Sequence, residues 1–217
     1  MQDQSAELEW RDGTIPVARR FDDPYFSLAD GLAETRHVFL AGNDLPARAV
    51  PGFHIAELGF GTGLNLLATV AASPPVPIRY TSFEAFPMTA ADMARALAAF
   101  PELEASALVT AWASGARAFT LGAVAVEVIV GDIATTLPAW QGRADAWYLD
   151  GFSPAKNPEM WAPEIMAEVA RHTNRGGTFA TYTAAGAVRR ALADAGFSVT
   201  RAPGFGRKRH MSRGILP

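Results

Sequence analysis

His54-Ile55-Ala56-Glu57-Leu58-Gly59-Phe60-Gly61-Thr62-Gly63-Leu64-Asn65 passes from a short apolar run, through an acid, into three alternate glycines. A helical pattern, Leu64 to Ala72, follows at once. The order reads as strand, tight turn and helix. Glycine permits positive φ and lets a ligand lie against the backbone, and the helix start offers unpaired N–H groups. The stretch therefore predicts a nucleotide or cofactor cradle at the first strand of an α/β sheet. The dinucleotide fingerprint G-x-G-x-x-G is not met, because the third glycine is Gly63 and position 64 is Leu. A P-loop is not met either, since no Lys follows the turn.

Further strands can be placed from this first one. Ile78 to Phe83 is a second strand that ends in Glu84, where an α/β nucleotide fold holds ribose hydroxyls. Thr89 to Phe100 and Leu103 to Ala113 read as helices, and Arg117 to Thr120 and Val124 to Val130 as strands. Asp132 follows the latter, either as a helix N-cap or as a ligand group. Ala144 to Leu149 is the fourth core strand and ends in Asp150. Its loop lies beside the first strand, in the crevice where open α/β sheets bind ligands. A helix over Pro163 to Thr173, a strand entered from Gly176-Gly177 over Thr178 to Tyr182, a helix over Gly186 to Ala195 and strands over Phe197 to Arg201 and Met211 to Leu216 complete the chain. Ahead of the core, Asp12-Gly13 signals a hairpin between Ala6–Trp10 and Thr14–Ala18. Pro24 marks a short helix or turn, with Phe21 and Phe26 packed around it. Asp30 caps a helix from Gly31 to about Leu40, and Gly42-Asn43 ends it. Residues 1–52 are thus expected to be an N-terminal extension, and 53–217 the cofactor-binding domain.

Composition narrows the chemistry. The chain has 217 residues, 49 % of them hydrophobic, which suits one ordered domain with a substantial core. Net charge is −3, so any nucleic-acid contact must come from a local patch. There are no cysteines. That excludes a disulfide scaffold, a thiolate metal site and a covalent thiolate nucleophile. The four histidines show no metal-ligand spacing, and no metal is expected. Met1 to Asp12 is polar and acidic, unlike a signal peptide, and the most apolar stretch, Phe119 to Val130, is too short to span a bilayer. The expectation is a cytoplasmic protein without a membrane partner.

An acid two residues before G-x-G-x-G resembles the first motif of class I methyltransferases that use S-adenosylmethionine. The resemblance implies a Rossmann-like, mostly parallel seven-stranded sheet. It also implies cofactor contacts from Glu57, Gly59, Gly61, Thr62, Gly63, Glu84 (ribose), Asp132 (adenine amino group) and Asp150. Asp145-Ala146-Trp147-Tyr148-Leu149-Asp150-Gly151-Phe152-Ser153-Pro154-Ala155-Lys156-Asn157-Pro158-Glu159-Met160-Trp161 is more specific. It resembles the methyltransferase half of the bifunctional MnmC enzymes, which make 5-methylaminomethyl-2-thiouridine in tRNA. Gly204-Phe205-Gly206-Arg207-Lys208-Arg209, Phe21-Asp22-Asp23 and Glu34-Thr35-Arg36 fit the same family, so that the likeness runs from about Leu8 to Leu216. His210 departs from it, standing where an acid is expected.

The resemblance implies transfer of a methyl group to the primary amine of 5-aminomethyl-(2-thio)uridine at the wobble position. The anticodon region of tRNA would be the macromolecular partner. The FAD-dependent oxidase half is missing from this sequence, so the chain is either a stand-alone methyltransferase or one half of a longer product. Its further partners would be that oxidase, fused or separate, or the enzymes that make the aminomethyl group. Asp150 is the candidate group beside the acceptor nitrogen, where a carboxylate can take a proton and stabilise developing charge. Phe152 is either a stacking wall or core packing. Lys156 and Asn157 either reach RNA or brace their loop. Arg189, Arg190, Arg207, Lys208 and Arg209 form either a phosphate-binding patch or a solvated charge run. Two other readings use the same residues: an N-methyltransferase of a small amine or a protein, and a non-catalytic RNA- or cofactor-binding module.

Overall fold

The computed structural model describes residues 5–27 and 30–217. The first four residues of the polar N-terminal stretch lie outside them. The Asp-Gly signal resolves into β1 (Leu8–Arg11) and β2 (Ile15–Ala18), paired antiparallel, with Asp12 and Gly13 both at positive φ. Asp23–Pro24 forms a two-residue strand, β3, on the free edge of β2, where the sequence suggests a helix or turn start. An edge position explains this, since proline there forfeits no ladder hydrogen bond that a neighbour needs.

Asp30 caps α1 (Gly31–Thr35), accepting from the Ala33 N–H at 2.8 Å. The helix continues as a π turn (Arg36–Leu40) and a 3-10 turn (Ala41–Asn43). Its left-handed terminal residue is Asp44, at φ 55°, and not Gly42 or Asn43. Gly42 is required for space: a Cβ there would sit 2.7 Å from that of Ala180. Asn43 is wholly buried. It donates to the carbonyls of Phe39 and Trp147 and accepts from the Thr178 hydroxyl at 2.7 Å, fastening the N-terminal segment to the sheet.

The sheet contains β4 (His54–Leu58), β5 (Ile78–Glu84), β6 (Ala118–Leu121), β7 (Val124–Val130), β8 (Ala144–Leu149), β9 (Thr173–Thr181), β10 (Ser198–Pro203) and β11 (His210–Ile215). Their order is β10-β11-β9-β8-β4-β5-β7-β6. The five central strands run parallel, while the β10–β11 pair and β6 are antiparallel edges. The resemblance implies seven strands; the eighth is β6, which the sequence reads as a strand over Arg117 to Thr120 and which pairs across the Leu121-Gly122-Ala123 turn. β9 begins five residues earlier than its apolar pattern suggests. Its register with β8 shifts between Ala144 and Ala146, and Gly176-Gly177 lies inside that bulge.

Side chains alternate across a strand, and the core divides accordingly. Ile55, Tyr80, Ala146, Tyr148 and Ala180 pack under α1, α2 (Leu64–Ala72), α3 (Ala90–Leu97) and α4 (Ser106–Ala113). Ala56, Leu58, Phe83, Trp147, Leu149 and Phe179 pack under α5 (Ile133–Ala139), α6 (Pro163–Arg171) and α7 (Gly186–Asp194). The same alternation puts Glu57, Ser82, Glu84 and Asp150 on the α2 face. Among the described residues no helix is long and apolar enough to cross a membrane.

Asn43→Ala removes a donor from the Phe39 and Trp147 carbonyls and the acceptor of the part-buried Thr178 hydroxyl. It is expected to lower stability by about 2–3 kcal/mol, read as a lower midpoint in urea; an unchanged midpoint would show that this fastening is dispensable.

Candidate active site

β4 and β8 are neighbours, but the chain leaves β4 toward β5 and β7 on one side and returns through β8 and β9 on the other. Their loops therefore diverge, and a crevice opens between them. Gly59 (φ 82°) and Gly151 (φ 101°) face each other across it. A Cβ on Gly59 would lie 3.0 Å from Gly151 Cα, so the two loops meet backbone to backbone. Gly61 (φ 53°) carries the turn beneath the Tyr25 ring. Gly63 serves packing: its Cβ would strike Leu108 at 2.7 Å, and it does not line the crevice.

The acids are held by a buried hydrogen-bond network. Glu57, wholly buried, accepts from Ser82 Oγ at 2.7 Å and from Asn65 Nδ2 at 2.8 Å. Asn65 Nδ2 also donates to Asp150 Oδ2 at 2.7 Å, and Asn65 Oδ1 accepts from the Thr35 hydroxyl at 2.8 Å. Burial pushes Glu57 up to about 8, against the hydrogen bonds from Ser82 and Asn65. Burial likewise pushes Asp150 up to about 7, against donors from Asn65 and the Gly151 N–H. Glu57 is thus not a wall of the crevice, as the sequence suggests; both its oxygens are taken from behind, and it holds Asn65, which does line it.

Glu84 ends β5 on the same face. Its oxygens accept from the Gly61 and Phe86 N–H groups, each at 2.8 Å, and burial raises its pKa. Those bonds pin the carboxylate to the glycine turn and leave lone pairs for a ligand. Asp132 caps α5 through Ala134 N–H at 2.8 Å and also lines the crevice. The crevice encloses about 920 Å³, within the ordinary range for cofactor and ligand sites. Gly59, Gly61, Thr62, Glu84, Asp132, Asp150, Phe152 and Asn157 all line this one cavity.

The loop after β8 is braced by the N-terminal segment. Phe152 stacks on Phe21, with ring centroids 4.6 Å apart, and meets Tyr25 edge-on at 5.0 Å. It is both wall and packing residue. Phe21 and Phe26 also line the cavity, beyond the packing role expected of them. Lys156 hydrogen-bonds the Asp22 carbonyl and pairs with its carboxylate at 3.1 Å, while Asp23 accepts from Ser153 N–H at 2.8 Å. Lys156, although exposed, thus braces its loop against the Asp22-Asp23 acids. Asn157 leans on Met160 Sδ, and Trp161 donates to the Phe152 carbonyl at 2.8 Å.

The basic tail divides. Lys208 pairs with Glu34 of α1 at 2.9 Å and lies over the Tyr182 ring. Arg207 lines the cavity mouth. Arg207 and Arg209 are exposed, and among the described residues neither has an acidic partner. Arg189 and Arg190 sit in the N-terminal half of α7, after β9, and do not line the cavity. Sequence reading missed Asn65, Tyr25, Tyr182 and Glu34. Asn65 carried a usable signal, as an amide in the otherwise apolar run Leu64 to Ala68; the other three come from segments that only the tertiary fold brings to the crevice.

A family model described as S-adenosyl-L-methionine-dependent methyltransferase matches residues 101–217. The bifunctional protein MnmC of tRNA 5-methylaminomethyl-2-thiouridine biosynthesis from Stutzerimonas stutzeri is 46 % identical over 98 % of this chain and 35 % of its own length. The protein of the same name from Caulobacter sp. is 47 % identical over 100 % of this chain and 39 % of its own. The chain thus spans little more than a third of the length of these curated relatives. Among solved structures, MNMC2 from Aquifex aeolicus superposes with a TM-score of 0.78 at 23 % identity, over 99 % of this chain and 72 % of that one.

The buried acids fix a pH dependence of stability. Glu57 is raised from 4.5 to about 8 and Asp150 from 3.8 to about 7. A folded acid with a raised pKa keeps a proton that the unfolded chain releases. Its contribution is complete below the unfolded value and is lost as pH rises through the folded one. The urea midpoint is expected to fall between about pH 4 and pH 8, and Glu57→Gln to flatten the fall; an identical slope in that variant would contradict the assignment.

Proposed function

The chain belongs to the S-adenosyl-L-methionine-dependent methyltransferase family, and on that premise we propose that it methylates the primary amine of 5-aminomethyl-(2-thio)uridine at the tRNA wobble position. The observation that carries this reading is Asp150. One oxygen is held by Asn65, burial brings its pKa to about 7, and it lies in the same cavity as the glycine turn. Similarity over nearly the whole chain to proteins of tRNA 5-methylaminomethyl-2-thiouridine biosynthesis supplies the acceptor.

When bound, S-adenosylmethionine supplies an electrophilic methyl group on a sulfonium. The residues present fit that group: Gly59 and Gly61 leave backbone space, Glu84 is pinned to the turn where ribose hydroxyls would lie, and Asp132 faces the same cavity beside the apolar Phe86 and Ile133. The product is S-adenosylhomocysteine, and no metal is invoked.

An alkyl ammonium has no lone pair, so the enzyme must receive a proton before the nitrogen can attack. Asp150 takes it, the N–H bond breaking as an O–H bond forms on the carboxylate, and the neutral amine is oriented where it was desolvated. Near neutral pH a carboxyl with a pKa of about 7 exists in both states, which suits a group that accepts and later releases a proton. Phe152, backed by Phe21 and edged by Tyr25, forms the wall that excludes water and holds the pyrimidine. Arg207 at the cavity and the exposed Arg209 beyond it contact phosphates of the anticodon region. The aminomethyl group comes from an oxidase, fused or separate, or from the enzymes that build it directly, and the setting is the cytoplasm.

The test is to incubate the protein with S-adenosylmethionine and tRNA from cells lacking this methylation, then to weigh the nucleosides. A gain of one methyl group on aminomethyl-(thio)uridine, absent in Asp150→Asn, is expected. Cofactor binding without that gain would move the acceptor to a small amine or a protein. Charge reversal at Arg207 and Arg209 is expected to weaken tRNA binding and to reduce the slope of log affinity against log salt by about 0.7–0.9 for each phosphate no longer neutralised; an unchanged slope would make them a solvated face.

A further inference from the structure

Asn65 occupies an unusual place. It is an amide buried in the second position of α2, between two carboxylates. Its nitrogen has two hydrogens, and both are committed: one to Glu57 Oε1 at 2.8 Å, one to Asp150 Oδ2 at 2.7 Å. Its oxygen accepts from Thr35, which α1 brings in from the N-terminal segment. With the acids ionised, a flipped amide would lose both of these donations and set its carbonyl oxygen against two carboxylates, so in that state the two acids select the orientation that also receives the Thr35 hydroxyl.

We infer that Asn65, set by Thr35, is a positioning residue that confines the exchangeable proton of Asp150 to Oδ1. A proton on Oδ2 would point at the Asn65 N–H and break that bond, whereas Oδ1 accepts from no side chain among the described residues. Without the amide, Glu57 and Asp150 would face each other with no donor between them, and a shared proton would settle there, away from the substrate. Asn65 thus does two things at once: it fixes the carboxylate plane and it keeps the two acids from trapping the proton that the acceptor must lose. The remaining groups around Asp150 are Tyr80 from β5, Glu34 from α1, Tyr182 after β9 and Lys208 from the tail. None of them donates a hydrogen bond to its side chain. The inference rests on the role given to Asp150 above.

The experiment is kcat against pH, at saturating S-adenosylmethionine and aminomethyl-bearing tRNA, for the intact chain and for Thr35→Val, Thr35→Ser, Asn65→Ala and Asp150→Asn. Asn65→Ala removes the donor to Asp150 outright, and Thr35→Val frees the amide that holds it; either change raises the pKa of Asp150, so the acid limb should move to higher pH in both. Their kcat should fall by about 10- to 100-fold, with KM for tRNA changed by no more than about threefold, and Thr35→Ser should restore both limb and rate. An acid limb that stays in place in Thr35→Val, or a serine that fails to rescue, overturns the inference even if Asn65→Ala does not fold. Retained turnover in Asp150→Asn overturns the reading of Asp150 itself, and so separates the two failures.

Discussion

The backbone contact between Gly59 and Gly151 is the constraint on which the site depends. Two parallel neighbours, β4 and β8, send their chains in opposite directions, and the loops that leave them would ordinarily stand apart. Here they touch, because neither residue carries a Cβ and both adopt positive φ. The contact closes the floor of the crevice. It brings the glycine turn, which suits a cofactor, within one cavity of Asp150, which suits an acceptor. A side chain at Gly59 would press on the Gly151 backbone, its Cβ 3.0 Å from Gly151 Cα, while one at Gly151 would meet the Met160 side chain of its own loop at 2.2 Å.

The polar groups around that floor are costly to bury, and the fold meets the cost by sharing donors. Strand alternation sends Glu57, Ser82, Glu84 and Asp150 to one face, which would be untenable for three unpartnered carboxylates. Each finds hydrogen-bond donors: Ser82 and Asn65 for Glu57, backbone N–H groups for Glu84, Asn65 for Asp150. Burial nevertheless dominates, and all three are raised. The resulting tension is useful at Asp150, which borders the cavity, and purely structural at Glu57, which does not.

The N-terminal segment is part of this site. α1 supplies Thr35 to the buried network and Glu34 to the tail lysine, Lys208. Asp22 and Asp23 hold the loop after β8 by its lysine and its backbone, and Phe21 backs Phe152. The acids near the mouth are thereby used internally. Arg207, at the cavity, and Arg209, two residues on, remain exposed on a protein whose net charge is −3.

Sequence by itself determined the strand–turn–helix cradle, the run of core strands that follows it and the acids at their ends. These follow from local rules: the period of apolar residues, the positive φ of glycine and the position of an acid at a strand terminus. The cores of β4 and β8, the hairpin at Asp12-Gly13 and the Asp30 cap are all legible in this way. Only the tertiary structure decided what each polar residue does. Glu57 reads as a ligand group, yet it is turned inward because its strand neighbour offers Ser82. Lys156 reads as a candidate RNA contact, yet it is drawn to acids more than a hundred positions earlier. Asn65 reads as a helix start until Thr35, Glu57 and Asp150 converge on it. Pairings of that kind join residues far apart in the chain, and their energies depend on burial and on donor geometry, neither of which any local pattern of side chains encodes.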